Sequence, residues 1–134
     1  MQYIKGIDAF REEKRTAVTL GKFDGLHRGH QKLIEKIRSY AGNDCVSVVC
    51  AFDMQRSCLM TKEERKKLLA GKVDYLIDYP FTGDLMTMEA ERFIQKILYE
   101  KLHAAHIVVG SDFSFGYRKR GDHQMLERYA CLLY

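Results

Sequence analysis

One glycine- and histidine-rich stretch, Gly21-Lys22-Phe23-Asp24-Gly25-Leu26-His27-Arg28-Gly29-His30, decides how the chain is organised. It follows an apolar run at 17–20 and precedes an amphipathic segment at 31–40, so it joins a buried strand to a helix. Glycine lets a ligand approach the main chain closely. A helix start offers free N–H groups and a positive dipole end, which favour phosphate. Since His27 and His30 can share one face of the first turn, the stretch predicts a phosphate site with histidine donors.

The rest of the chain alternates between strand and helix patterns. Strands are predicted at 16–20, 45–52, 73–79 and 106–109, and the second of these is a nearly continuous apolar run, as in a parallel sheet. Helices are predicted between them from the apolar period of 3.6 residues. The alternation indicates one domain, residues 1–134, with an α/β, Rossmann-like fold: a parallel sheet with helices on both faces.

Capping residues define where three helices begin. Thr61 and Glu64 form a capping box for a short basic helix that Gly71 ends. Thr87 is predicted to cap the next helix, and Asp122 the last. The buried stripe of the helix after Thr87 is predicted to be Ala90, Phe93, Ile94, Ile97, Leu98 and Leu102; that of the last helix is Met125, Leu126, Tyr129 and Leu133. Residues 1–15 are expected to be irregular, anchored by Ile4, Ile7 and Phe10.

Two glycine-bearing loops are expected to meet in space. The first is the opening stretch, and the second, residues 110–121, follows the fourth strand and is rich in aromatic and basic residues. In an open parallel sheet, ligands bind beyond the carboxyl ends of the strands, where the strand order reverses. The two loops are therefore expected to form one crevice.

Composition narrows the function classes. The net charge is +4, but lysines and arginines are scattered among acids, so a nucleic-acid binder ranks last. Neither a membrane span nor a signal peptide is visible in the 134 residues, and a cytoplasmic protein is expected. The four cysteines lack zinc-site spacing and are interpreted as reduced thiols, mostly in the core.

At this point two motifs resemble a known family. Gly21-x-Phe23-Asp24-Gly25-x-His27-x-Gly29-His30 resembles the H-x-G-H signature of nucleotidyltransferases, in the longer form of the N-terminal FMN adenylyltransferase domain of bacterial bifunctional riboflavin kinase/FAD synthetase. Val108-Val109-Gly110-x-Asp112-Phe113-x-Phe115-Gly116, with a basic run and Gly121-Asp122, resembles the second signature of that family. The resemblance covers nearly the whole chain and implies a Rossmann-like nucleotidyltransferase fold. It also implies the reaction of FMN with ATP and Mg²⁺ to give FAD and pyrophosphate.

The resemblance also implies roles for individual residues. His27 and His30 would be catalytic, contacting the ATP phosphates. The ATP site would comprise Gly21, Phe23, Asp24, Gly25, His27, Gly29, His30, Gly110 and Asp112. A second wall, against flavin or nucleotide, would comprise Phe113, Phe115, Gly116 and Lys119. From the residues alone, Phe113 and Phe115 are equally explained as core aromatics. Mg²⁺ would be held by the ATP phosphates, because three residues such as Asp24, His27 and His30 have too common a spacing to predict a protein metal site.

The chain also departs from the family. Lys119 stands where the family has arginine, and residues 52–56 lack the proline that shapes the flavin side in the family. The resemblance further implies a later Ser/Thr-rich ATP signature and a riboflavin kinase domain, and the sequence stops before both, as if truncated. Two alternatives therefore stay open: a nucleotide- or flavin-binding module without turnover, and a nucleotidyltransferase for another phosphorylated acceptor. A homo-oligomer is also left open.

Overall fold

A computed structural model describes residues 1–21, 28–42, 44–53, 61–80, 84–110 and 113–133. Its centre is a parallel sheet of five strands in the order β1-β4-β3-β2-β5. The strands are β1 (Gln2–Lys5), β2 (Arg15–Gly21), β3 (Cys45–Asp53), β4 (Tyr75–Pro80) and β5 (Ala104–Val108). A short antiparallel pair, β6 (Ser114–Phe115) and β7 (Gly121–Asp122), follows the sheet. The predicted α/β, Rossmann-like fold with a parallel sheet is thereby confirmed.

Helices cover both faces of the sheet. They are α1 (Arg28–Tyr40), α2 (Lys62–Leu69), α3 (Asp84–Thr87), α4 (Ala90–Phe93) and α5 (His123–Leu133). A π-helical segment, Ile94–Lys101, continues α4 directly, and a single 3₁₀ turn spans Tyr117–Lys119. The Leu102 N–H closes the π segment by donating to the Ile97 carbonyl, five residues back.

Strand alternation divides the core in two. On β2, Ala17 faces α1 and α2, whereas Val18 and Leu20 face α4. The buried partners of Ala17 include Ile34, Ile37, Val49, Leu69 and Leu76. Those of Val18 include Phe93, Ile94, Leu98 and Leu102. This division follows from the period of two along each strand.

Several expectations from the sequence are confirmed in detail. The Thr61 hydroxyl accepts the Glu64 N–H at 3.1 Å, and the Asp122 carboxylate accepts the Met125 N–H at 2.9 Å. All six residues predicted as the stripe of α4 and its continuation are buried: Ala90, Phe93, Ile94, Ile97, Leu98 and Leu102. Met125 and Leu126 of α5 are buried as well, and the side chains of Tyr129 and Leu133 lie outside the described part.

Two expectations were wrong. Residues 2–5 are not irregular but form β1, because the parallel partner of this strand, β4, lies some seventy residues away and leaves no local signal. Thr87 does not cap a helix; it ends α3, and Glu89 occupies the cap position of α4 without a side-chain bond. Ile4, Ile7 and Phe10 are nevertheless buried anchors, as predicted.

Candidate functional site

The carboxyl ends of β2 and β5 lie side by side. Thr19 pairs with Val108, so Gly21 and Gly110 each stand two residues beyond a paired position. The next strands along the chain, β3 and β4, extend from β2 in one direction, whereas β5 returns to its other side. The strand order therefore reverses between β2 and β5, and the two glycine-bearing loops begin at this switch point, as expected.

α1 begins immediately after the first loop. Gly29 and His30 belong to its first turn, which carries no acidic side chain, so nothing acidic there opposes an anion at the helix start. His30 is half-buried and already engaged in an interaction. Phe23, Asp24, Gly25 and His27 lie outside the described residues, as does Asp112 of the second loop, so their predicted roles stay predictions.

The second loop is fixed by close packing around its glycines. The Gly110 carbonyl accepts the Phe113 N–H at 3.1 Å, which makes a turn directly after β5. Gly116 has a φ of +81°, and a Cβ built on it would stand 2.7 Å from the Ala90 Cα. The Tyr117 N–H donates to the Met88 carbonyl at 2.8 Å. The loop is therefore docked onto the start of α4.

The two phenylalanines of this loop differ in their surroundings. Phe115 is 6% exposed and packs on Phe93, with ring centroids 5.5 Å apart, so it is a core aromatic. Phe113 is half-buried and stacks on Phe115 at 5.7 Å. Of the two, Phe113 keeps surface that a ligand can contact.

The basic end of the loop has an uncommon backbone. Arg118 and Lys119 both have positive φ, 57° and 54°, which non-glycine residues rarely adopt. The Lys119 N–H donates to the Gly116 carbonyl, and the guanidinium carbon of Arg118 lies 5.3 Å from the centre of the Tyr117 ring. The side chains of Arg118, Lys119 and Arg120 are all exposed, so three positive charges project from this turn.

Sequence reasoning missed a buried carboxylate at the same edge of the sheet. Asp78 of β4 is 1% exposed and pairs with Ala51, which in turn pairs with Gly21. Its Oδ2 accepts the Tyr3 hydroxyl at 2.7 Å and lies 3.4 Å from the Lys62 Nζ. Its Oδ1 has no hydrogen-bond partner within the described part of the chain. A charged residue inside an otherwise apolar strand was the available signal.

The environment of this carboxylate changes the acidity of its phenol partner. Burial, followed by the hydrogen bond to Asp78, raises the pKa of Tyr3 to about 12. The Lys66 ammonium also lies 3.8 Å from the centre of the Tyr3 ring. Tyr3 therefore stays neutral, and β1 is attached to both β4 and α2.

Half-buried aromatic rings mark the ends of β3 and β4. Phe52 and Tyr79 are paired across these strands, with ring centroids 6.1 Å apart, and Phe52 also contacts Phe93 at 6.1 Å. Through Phe93 and Phe115, this row reaches the second loop. A row of aromatic contacts thus runs from the end of β4 to the loop after β5; its middle members, Phe93 and Phe115, are buried, and Phe52, Tyr79 and Phe113 are half-buried.

Other predictions concern residues away from this edge. Cys45 and Cys50 are free and buried, and burial raises the pKa of the Cys50 thiol to about 12, as expected for core thiols. Among the residues that the structure describes, no helix is long and apolar enough to cross a membrane.

Comparison with known proteins places this geometry in context. A family profile described as FAD synthetase matches residues 9–132. Curated relatives named bifunctional riboflavin kinase/FMN adenylyltransferase are 34% identical in Pseudomonas fluorescens, over 95% of this chain, and 31% in Buchnera aphidicola subsp. Schizaphis graminum, also over 95%. The relative of the same name in Escherichia coli K12 is 28% identical over 96%. In each case the match spans 45% of the relative, so the chain covers less than half of their length.

A solved structure shares the fold. The structure titled as a macrolide-efflux protein from Streptococcus pneumoniae superposes with a TM-score of 0.78 over 96% of this chain and 47% of that one. The sequence identity is 24%, so the likeness concerns the fold alone.

Proposed function

Since the chain belongs to the FAD synthetase family, we propose that it transfers the adenylyl group of ATP to FMN, giving FAD and pyrophosphate. The observation that carries the proposal is the position of the two signature loops. They start from adjacent strands at the switch point of the sheet, and His30 lies in the first turn of α1, the helix that follows the first loop. A triphosphate bound there would contact both loops at once.

Adenylyl transfer requires that the FMN phosphate be aligned with the α-phosphorus of ATP and that the negative charge of the phosphates be neutralised. The phosphate of FMN is largely dianionic at neutral pH, because its second pKa is about 6, and so it attacks the α-phosphorus of ATP without a strong base. A new P–O bond forms, the bond to the β-phosphate oxygen breaks, and pyrophosphate leaves. Preorganised donors that face the developing charge supply the rate enhancement.

The residues of the chain would divide this work. The N–H groups of the first turn of α1 and the helix dipole, equivalent to roughly half a positive charge, would hold phosphate oxygens. His27 and His30 would donate to the α-phosphate and the leaving pyrophosphate. Gly21 and Gly110 would let the nucleotide approach the two strand ends, and the exposed Lys119 would attract the leaving group as a point charge.

Mg²⁺ is part of the proposal as a partner of the ATP phosphates, whose oxygens it prefers as ligands. Within the described ranges, no group of three His, Cys, Asp or Glu side chains could hold an ion. When bound, the ion would neutralise charge on the phosphates; every other contribution above comes from the chain itself.

The test is to incubate the chain with ATP, FMN and Mg²⁺, and to measure FAD by chromatography and pyrophosphate in the same samples. We expect both products in equal amounts. Quenching of flavin fluorescence without FAD would instead favour a binding module without turnover. Adenylylation of another phosphorylated acceptor, but not of FMN, would show a nucleotidyltransferase of different specificity.

A further inference from the structure

A carboxylate is buried at the carboxyl edge of the sheet, where stability alone does not explain it. Asp78 is 1% exposed, and its Oδ1 has no hydrogen-bond partner in the described part of the chain. Its neighbours in β4, Leu76 and Ile77, are buried and apolar. Replacing a buried ion pair by apolar residues of similar volume is often neutral or stabilising, because the charges must be taken out of water. The carboxylate therefore points to a role beyond holding β4 in the core.

Asp78 holds the ammonium group of Lys62, the first residue of α2. The Lys62 Nζ lies 3.4 Å from the Asp78 Oδ2, although the lysine side chain is still 45% exposed. The same oxygen accepts the Tyr3 hydroxyl at 2.7 Å, so the carboxylate is fixed from β1 as well. Asp78 lies two residues after Leu76, so both side chains point to the face that α1 and α2 cover. The pair thus keeps a partly exposed lysine head in a defined place.

That place is close to the proposed phosphate site. α1 follows β2 and α2 follows β3, so both helices begin at the carboxyl edge of the sheet. Ile37 of α1 and Leu69 of α2 belong to one buried cluster, which puts the two helices on one face. In the register, Gly21 pairs with Ala51, and Ala51 pairs with Asp78. Two strand spacings, roughly 10 Å, therefore separate the start of the first loop from the carboxylate that holds the lysine.

Resting on the proposed function, we propose that Lys62 contacts the phosphate of FMN and that Asp78 is the positioning residue that holds Lys62 for this contact. Adenylyl transfer brings two anions together, the dianionic FMN phosphate and ATP, and they repel each other. The first loop and the start of α1 would serve ATP, whereas Lys62 would offset charge on the acceptor. A phosphate within reach of both the start of α1 and Lys62 would lie between two sources of positive charge.

The ion pair explains how a flexible side chain can serve alignment. A lysine side chain carries about 2 kcal/mol of rotamer entropy, which is lost when a ligand fixes it. Asp78 fixes Lys62 before the ligand arrives, so less of this entropy is lost on binding. An ammonium group has three donors, and the contact with one carboxylate oxygen uses one of them. The arrangement is therefore a preorganised cation of the kind that alignment requires.

This assignment makes Lys62 a residue of acceptor selectivity. Riboflavin has the ring and the ribityl chain of FMN but no phosphate, so it would gain nothing from the ammonium group. A contact with the phosphate therefore affects FMN and not riboflavin, whereas damage to the fold affects both ligands. This difference separates a contact from a structural role.

The first experiment titrates FMN and riboflavin into the full chain and follows flavin fluorescence. We expect Lys62→Gln to weaken FMN binding about tenfold and to leave riboflavin binding within about twofold, because only a charge-assisted contact is lost. Lys67→Gln, at an exposed lysine of the same helix, is the matched control and should change neither affinity. Lys62→Arg keeps the charge and should recover most of the FMN affinity.

The second experiment measures FAD formation by Asp78→Asn, which keeps the shape of the side chain and an acceptor for Tyr3. We expect kcat to fall about tenfold, because Lys62 loses its fixed position, while the KM for ATP stays within about twofold. FMN affinity should change by less than about threefold, since Lys62 keeps its charge. Tyr3→Phe removes the other partner of the same oxygen and should leave kcat within about twofold of the parent.

The outcomes separate the inference from the proposed function. If Lys62→Gln binds FMN like the parent, or loses FMN and riboflavin equally, the inference is overturned, while FAD formation by the parent leaves the proposed function standing. If the parent binds ATP but forms no FAD, the proposed function fails and the inference fails with it. A parental kcat in Asp78→Asn overturns the positioning role. Should Asp78→Asn not fold, the titrations with Lys62→Gln decide alone, because that side chain is 45% exposed.

Discussion

Gly116 packs directly onto Ala90, with room for a hydrogen but not for a methyl group: an added Cβ would stand 2.7 Å from both the Cα and the Cβ of the alanine. This contact fixes the second loop to the start of α4. The backbone of Gly116 also has a φ of +81°. Glycine is therefore required here twice, once for the close contact with Ala90 and once for the positive φ.

Three glycine substitutions distinguish the effect of a positive φ from the effect of a close contact. Gly42→Ala meets open space at an ordinary φ and should leave stability unchanged, whereas Gly6→Ala meets open space at a φ of +82° and should cost about 1 kcal/mol. Gly116→Ala adds a clash to the strain and should cost about 2–4 kcal/mol. Denaturant unfolding measures all three. Equal losses for Gly6→Ala and Gly116→Ala would show that the Ala90 contact yields easily.

His30→Ala tests the catalytic assignment of the first loop. Because His30 lies in the first turn of α1, where phosphate is proposed to bind, its loss should lower FAD formation by about 100-fold or more. Circular dichroism should show an intact fold. His106→Ala is the matched control: this histidine is exposed on β5 and stacks on Tyr40 at 3.9 Å. Equal activities of the two variants would contradict the role of His30.

Two threonines of β2 make a matched pair for stability. Both are fully buried, but the Thr16 hydroxyl donates to the Leu102 carbonyl at 2.7 Å, whereas the Thr19 hydroxyl has no partner in the described ranges. Thr16→Val should destabilise by about 1–3 kcal/mol, because a buried carbonyl loses its donor. Thr19→Val should be neutral or stabilising, since it removes an unsatisfied polar group. Unfolding in urea measures both, and a reversed order would refute the bonding scheme.

Alkaline pH should destabilise the chain through two tyrosines. The hydrogen bond to Glu12 and burial raise the pKa of Tyr75 to about 12, and burial and Asp78 do the same for Tyr3. Because the folded state holds these protons more tightly, the stabilisation is complete below pH 10 and is lost as the pH rises through about 12. Tyr3→Phe and Tyr75→Phe should each flatten the dependence of the unfolding free energy on pH in that window. A slope that is unchanged in the double variant would exclude both groups as its source.

The sequence allowed much of this fold to be predicted because its signals were local. The apolar run of β3, the Thr61 and Asp122 caps and the stripe of α4 each depend on residues within one element. β1 was not predicted from the sequence, because its partner strand is distant in the chain. The predicted cap at Thr87 was wrong because Thr87 belongs to α3, a single helical turn without a marked sequence pattern.

The candidate site likewise has a part that the sequence predicted and a part that it did not. Motifs located the loops at Gly21 and Gly110, and the structure brings the two strand ends together. The surroundings of the loops could not be predicted, because they depend on packing between distant segments. The contact of Gly116 with Ala90 and the burial of Asp78 beside Tyr3 are examples. The roles of Phe23, Asp24, Gly25, His27 and Asp112 remain predictions.

The strand order has a consequence for how the protein is made. β2 pairs with β3, the next strand along the chain, but its other neighbour, β5, begins only at Ala104. Contacts between distant segments of this kind slow folding, because the intervening chain must be ordered first. A nascent chain on the ribosome would therefore carry the first glycine-bearing loop before the end of β5 existed beside it. Binding at the proposed nucleotide site, which needs both loops, should then be one of the last properties acquired during synthesis.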